Sequence, residues 1–472
     1  MAPPKSKVKS STITKKSHQP PQEKPSKTSN KKKSTNNYKT YIKRVLESVS
    51  KGTHISSVSL DQLDKMVQRI AEDISTNTRR TCMRNNKKTI SEDEVKLAVN
   101  IFFPEKMAST ILDRISTAIS TSSTTSKSTD GPKRRENFAG LVFSVALSEK
   151  FLREFGASNI RVGENAPIAL ATALEYIVRQ ILTGASALVS NNNRVTLTHR
   201  FIYLAVQEDK ELATLINNFK IEFMGVGVVP YVHPQLLVKT KTKGRRRKKD
   251  KNGKSSHKFR PGTIALRKIR KYQTKDSTSL LLQQLPFEKA VRRITSEIQQ
   301  NNNNDRKIHF GAGSLLVIQT FVEQVVTNLM MKTVNITIHA SREGINDSDV
   351  LLAWKTSYSW VPDVVITNED ETEEDEDLKE IGTNGIGRLG YRGGVKRTNT
   401  PAYKIIRQFI YSLLNLLLRR TLAYINHRGV ITVGILDLEI ATQTMGFNFI
   451  VPSYVAKVRS SRKSHTNQVT KV

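Results

Sequence analysis

The chain has 472 residues, too many for one ordinary core and enough for roughly three or four small domains. Lys and Arg total 76 against 42 acids, a net charge of +34 that points to a polyanionic partner, nucleic acid foremost. The single cysteine, Cys82, excludes an intramolecular disulfide and a thiolate zinc site and implies a reducing compartment. The N-terminus lacks a signal-peptide core, and the most apolar run, 405–418, falls short of the ~20 residues a bilayer needs and contains Arg407, so no membrane partner is expected.

Residues 1–38 hold ten lysines and one acid, Glu23, among Ser, Thr, Pro and Asn, and read as a disordered basic tail. Four folded blocks follow, at 39–120, 136–238, 257–362 and 384–452. A Ser/Thr-rich linker at 121–135 separates the first two. A basic linker at 239–256 carries KTKTKGRRRKKDK, and an acidic linker at 363–383 carries EDETEEDEDLKE. A basic tail, 453–472, ends the sequence.

The blocks share one plan. Each has a helical stretch of ~25–28 residues, about 40 Å long at 1.5 Å per residue, flanked by shorter helices. In the second block Ile168, Leu170, Leu174, Ile177, Val178, Ile181, Leu182, Ala185 and Leu188 form a helical stripe, with Asn165 placed to cap it and Pro167 in its first turn. In the fourth block Thr400-Pro401 opens a helix carrying Ile405, Phe409, Leu413, Leu417 and Ile425. After each long helix comes a short β-like stretch, a polar residue and a short amphipathic helix: TISEDEVKLAV from Thr89, TLTHRFIYLAV from Thr196, EGINDSDVLLAW from Glu343 and VITVGILDLEIAT from Val430. Ser91 and Glu94 form a capping box, Thr198 and Asn346 are candidate caps, and Gly434 is a weaker one.

Short helix, loop, long helix, loop, short helix is the plan of the histone fold, and each block resembles a different core histone. Residues 39–120 resemble histone 2B (YKTYIKRVL, THISSVSLDQLDKMVQRIAEDI, and Pro104 before a C-terminal helix). Residues 136–238 resemble histone 2A (FAGLVFSV, RVGENAPIALATALEYI, and the docking-type segment GVGVVPYV). Residues 257–360 resemble histone 3 (HKFRPGTIALRKIRKYQ, LPFEKAVRRI), and residues 384–447 resemble histone 4 (IGRLGYRGGVKR). A fusion in this order is similar to the fused histones of giant DNA viruses. The resemblance implies an all-α chain of four tandem histone folds forming two intramolecular head-to-tail pairs. It implies two such chains per octamer-like core, and duplex DNA wrapped without sequence preference. It also implies a place in the nucleus or viral factory of an infected cell, and packaging with viral DNA in the virion.

The family wraps DNA with arginines in the inward-facing minor groove and with groups that hold phosphates. The resemblance places Lys87, Lys88, Arg161, Arg194, Arg388, Arg392, Lys396 and Arg397 in or beside such loops. It places Arg260, Arg267 and Arg270 on the extension before the third fold, and Arg292 on the helix after it. For any one of these alone, a solvated surface charge is the alternative. His309 stands where the family has a groove arginine, HRGVITV lacks the usual basic pair, and Phe138 and Leu147 replace arginines, so the grip on DNA weakens at those points.

His339, Arg342 and Asp349 match the family's two-fold contact between third folds; a histidine satisfied within its own chain is the alternative. Glu175, Asp209 and Glu211, with Glu208 nearby, match the family's acidic patch, but Gln180, Thr183, Lys210, Lys106 and Arg114 stand where further acids are expected. No catalytic constellation, phosphate-cradling glycine loop, metal site or cofactor motif stands out, so neither enzyme activity nor a small-molecule substrate is expected. A sequence-specific regulator built on histone folds and an unfolded polybasic condenser are the competing readings.

Overall fold

The computed structural model describes residues 37–125, 135–155, 160–237, 262–274, 279–301, 306–362 and 380–450. The basic tails, the basic linker and most of the acidic linker lie outside them, as does Arg260.

The first block runs α1 (Lys39–Val49), β1 (His54–Ile55), α2 (Ser57–Arg84), β2 (Thr89–Ile90), α3 (Glu92–Phe102) and α4 (Glu105–Thr125). The second runs α5 (Arg135–Phe138), α6 (Val145–Glu154), β3 (Arg161–Val162), α7 (Ala166–Asn191), β4 (Thr196–Leu197), α8 (His199–Glu208), α9 (Lys210–Asn218), β5 (Ile221–Phe223) and a 3₁₀ turn at Pro234–Leu236. The third comprises α10 (Thr263–Thr274), α11 (Gln284–Asn301), β6 (His309–Phe310), α12 (Ser314–His339), β7 (Gly344–Ile345) and α13 (Asp347–Ser357). The fourth comprises α14 (Thr383–Arg392), β8 (Arg397–Thr398), α15 (Thr400–Arg428), β9 (Thr432–Val433), α16 (Ile435–Thr444) and β10 (Asn448–Ile450).

α4 continues into the expected linker. This Ser/Thr-rich stretch is helical, and the hydroxyls of Ser116, Thr117, Ser120 and Thr121 are satisfied by carbonyls three or four residues back. Caps follow the expected positions unevenly. Glu94 accepts from the Ser91 N–H (2.8 Å), Asp349 from that of Asn346 (3.0 Å) and Asp437 from that of Gly434 (2.7 Å). Asn165 and Thr198 make no side-chain cap bond.

A two-residue strand has no stability alone, and each loop strand finds its partner in another block. β1 pairs with β4 and β2 with β3; β6 pairs with β9 and β7 with β8, all parallel. The loop before each long helix therefore meets the loop after the long helix of the neighbouring block. Blocks one and two share one apolar core, and blocks three and four another. β5 pairs with β10, tying the end of the second block to the end of the fourth, while Met224 and Leu236 enter the second core. α7 and α12 are long and apolar enough to cross a bilayer, but 78% and 72% of their apolar windows are buried in protein. Core packing accounts for that apolarity.

An acid in each of the first three long helices anchors the chain just before or at the start of a shorter helix. Asp64 accepts from the Tyr38 N–H (2.6 Å), Glu175 from those of Val142 and Phe143 (2.7 and 3.0 Å), and Glu323 from those of Leu281 and Leu282 (both 2.9 Å). These amides precede helices and lack intrahelical acceptors. In the fourth block the polarity reverses: Arg407 Nε donates to the Ile381 carbonyl (3.0 Å).

Candidate nucleic-acid interface

Each strand pair places loops from two blocks side by side. At β2–β3, Thr89 pairs with Arg161, whose N–H donates to the Lys88 carbonyl (2.9 Å); Lys88 and the Arg161 side chain are exposed. Lys87 is tied to Glu94. Burial pushes the Glu94 carboxyl up, but hydrogen bonds from Lys87 and Ser91 prevail and bring it down to about 2. At β1–β4, His54 N–H donates to the Val195 carbonyl (3.0 Å), beside exposed Arg194 and Lys51.

At β7–β8, Arg397 lies opposite Gly344 and is exposed, its side chain passing over the space a Gly344 Cβ would occupy. Its neighbour Lys396 is largely covered, with Nζ 2.7 Å from Glu343 Oε2. At β6–β9, His309 pairs with Thr432. Arg306 and Lys307 are exposed immediately before it, and the Arg292 guanidinium sits 5.8 Å from the Phe310 ring centre. Arg428, the last residue of α15 before the facing loop, pairs with Asp437. Arg267 and Arg270 lie on the exposed face of α10, which buries Leu266, Ile269 and Gln273. Gln273 bonds both the N–H and the carbonyl of Tyr231, and its own carbonyl accepts from Arg200 (2.8 Å). α10 is thereby fixed to the segment after β5.

Three expectations change. Arg392 is 7% exposed; its guanidinium donates to the Ser279 carbonyl (3.0 Å) and faces Glu323, so it serves the core while Arg388, one turn earlier, is exposed. Asp349, 4% exposed, is engaged within its own chain by Arg342, the Asn346 N–H and the Thr337 hydroxyl. His339, at the last turn of α12, is exposed. Glu175 is also buried, held by two backbone amides and by Arg179 (2.9 Å), and is no surface acid. Glu208 and Asp209 remain exposed and Glu211 half-buried, with Asp209 capping α9 through the Glu211 N–H (2.8 Å). Over Glu175 lies a groove of about 470 Å³ flanked by Arg179 and by Arg114, whose guanidinium is 4.9 Å from the Tyr176 ring centre.

Lys51, Arg306 and Lys307 escaped the sequence reading. The available signal was their position two or three residues before the short strands β1 and β6, a register that Arg161 and Arg397 do not share because they lie within theirs.

The core histone family model ("Core histone H2A/H2B/H3/H4 domain") matches residues 18–101, 123–208 and 261–356, more than half of the chain. The fourth block lies outside these three matches. "Histone H2A.2" of Lodderomyces elongisporus is 36% identical over 105 residues, covering 22% of this chain and 79% of that protein. The "Histone doublet H2B-H2A" of Melbournevirus is 27% identical over 201 residues, covering 43% of this chain and 72% of that protein. The crystal structure of the histone from Methanopyrus kandleri aligns at 15% identity with a TM-score of 0.25, covering 36% of this chain and 93% of that one. The chain belongs to the core histone family.

Proposed function

We propose that this chain packages duplex DNA, with folds that are 2B-, 2A-, 3- and 4-like in chain order. The observation carrying this reading is the set of four loop pairs, each bringing exposed cations to a strand junction between two blocks: Lys88 with Arg161, Lys51 with Arg194, Arg397 by Gly344, and Arg306 with Lys307. Exposed cations held at strand junctions suit a phosphate backbone, whose contacts carry no sequence information. Arg267, Arg270, Arg292 and Arg388 add further exposed cations, while Lys87 and Lys396 are held in ion pairs beside the loop cations.

The first and second folds act as one histone pair and the third and fourth as another, so one chain is half of an octamer-like core. Two chains complete it around a two-fold axis near exposed His339, in the nucleus or viral factory of an infected cell. Micrococcal nuclease digestion of chain–DNA complexes, with the particle mass measured in parallel, tests this. Protection of a discrete length on unrelated sequences by a two-chain particle is expected. A single preferred sequence motif, or one chain per compact particle, overturns it.

A further inference from the structure

A groove of about 680 Å³ opens between α10, α14 and the first turn of α15. Tyr272 and Tyr391 line it with their rings 7° from parallel and centres 6.2 Å apart. Tyr403 also lines it, its hydroxyl 3.5 Å from where a Gly387 Cβ would stand. The Lys268 ammonium lies 5.2 Å from the Tyr391 ring centre, and exposed Arg388 completes the cationic side. All three tyrosines are half-buried, and no carboxylate is among the described residues lining the groove.

Cations alone would suit any phosphate or acidic peptide. Ring faces beside them add a preference for a planar ligand that also carries negative charge. Bases inside a duplex already stack on one another and have no free face to offer, whereas an unpaired nucleotide presents both a π-face and a phosphate. We propose that this groove is a subsite for an unpaired deoxynucleotide, its base against the Tyr272 and Tyr391 rings and its phosphate on Lys268 and Arg388. This rests on the DNA-packaging reading and adds to it a preference for gapped or frayed DNA at one place on each chain. Gly387 keeps the groove open, because any longer side chain there would grow toward Tyr403.

The test uses the full chain with an oligothymidylate probe and a duplex of equal length, at salt high enough to weaken contacts with the basic tails. Ultraviolet cross-links from the single strand are expected at Tyr272 and Tyr391. Gly387→Leu, which fills the groove and removes no charge, and Tyr391→Leu should each lower cross-link yield and single-strand affinity about tenfold, as loss of a stacked base does. Duplex affinity should stay within about twofold, and Tyr391→Phe should retain both. Cross-links elsewhere, unchanged single-strand affinity in Gly387→Leu, or equal loss of duplex and single-strand binding overturns the proposal. Nuclease protection of duplex DNA, read in parallel, tests the packaging reading separately.

Discussion

Arg392 holds a guanidinium nitrogen 3.6 Å from Glu323 Oε2, joining α14 to α12 with both side chains less than a tenth exposed. Burial pulls the Arg392 pKa down while Glu323 opposes that pull. Removing one partner of such a pair leaves the other charge desolvated, at a cost of about 3–5 kcal/mol. Arg392→Leu is therefore expected to lower the denaturant midpoint sharply, whereas Arg388→Ala leaves stability unchanged and weakens DNA binding. Urea unfolding and DNA titration on the same two variants distinguish the roles.

The exposed loop arginines predict the reverse pattern. Arg161→Ala and Arg397→Ala should each reduce the slope of log K against log salt by about one, the signature of one lost phosphate contact. Unfolding should shift by less than about 0.5 kcal/mol, since both side chains face solvent. An unchanged salt slope in both variants counts against the loop pairs as the DNA-facing surface.

Glu222 lies on β5 at the junction with β10, and burial raises its pKa to about 7, with Lys332 opposing. Tyr203 on α8 and Tyr358 just after α13 also face it, and each has its own pKa raised by burial and by the Glu222 charge. The folded chain keeps the proton that the unfolded chain releases near 4.5. Its contribution is therefore complete below that value and is lost as pH rises from about 4.5 to 7. Stability should fall by about 2 kcal/mol across this window, discounted for partial exposure, while Glu222→Gln flattens the dependence. Urea midpoints at several pH values would read both.

Gly393 ends α14 against the backbone of α12. A Cβ there would stand 2.6 Å from the Met330 Cβ and 3.1 Å from the Thr327 carbonyl. Neither contact is the free end of a flexible side chain, so Gly393→Ala should cost about 1–3 kcal/mol through forced separation of the helices. Gly429→Ala meets open space but a φ of +68°, so its smaller loss, about 1 kcal/mol, would come from backbone strain alone. Comparing their thermal midpoints checks the ordering.

Partners that dock through an arginine anchor should bind poorly to the surface around Glu175. That carboxylate is already satisfied by two amides and Arg179, and Arg114 stands at the same groove. Each charge-assisted bond such an anchor makes to an acidic surface gains roughly 1.5–3 kcal/mol. An arginine-anchored peptide is therefore expected to bind at least tenfold more weakly than to an acidic-patch nucleosome. Near-equal affinity would mean that Glu208, Asp209 and Glu211 suffice.

The long helices, the strand segments that follow them and the polar residues at helix starts were legible in the sequence, because these features depend on residues three to seven positions apart. The stripe on α7 and the capping box of Ser91 and Glu94 belong to this class, whereas the bonds that Asp349 and Asp437 accept at the caps of Asn346 and Gly434 came from the structure. The cation-rich loops were legible for the same reason. Which charges face solvent was not. Arg388 and Arg392 are one turn apart on the same short helix, yet the first is exposed and the second meets Glu323 from a helix in another block. Glu175, placed at the surface by the resemblance to the acidic patch, instead turns inward, where it accepts from the amides of Val142 and Phe143. Local spacing sets the face of a helix on which a side chain stands. Whether water or another segment meets that face is decided only when distant parts of the chain pack, since desolvation and pairing energies depend on neighbours far away in sequence.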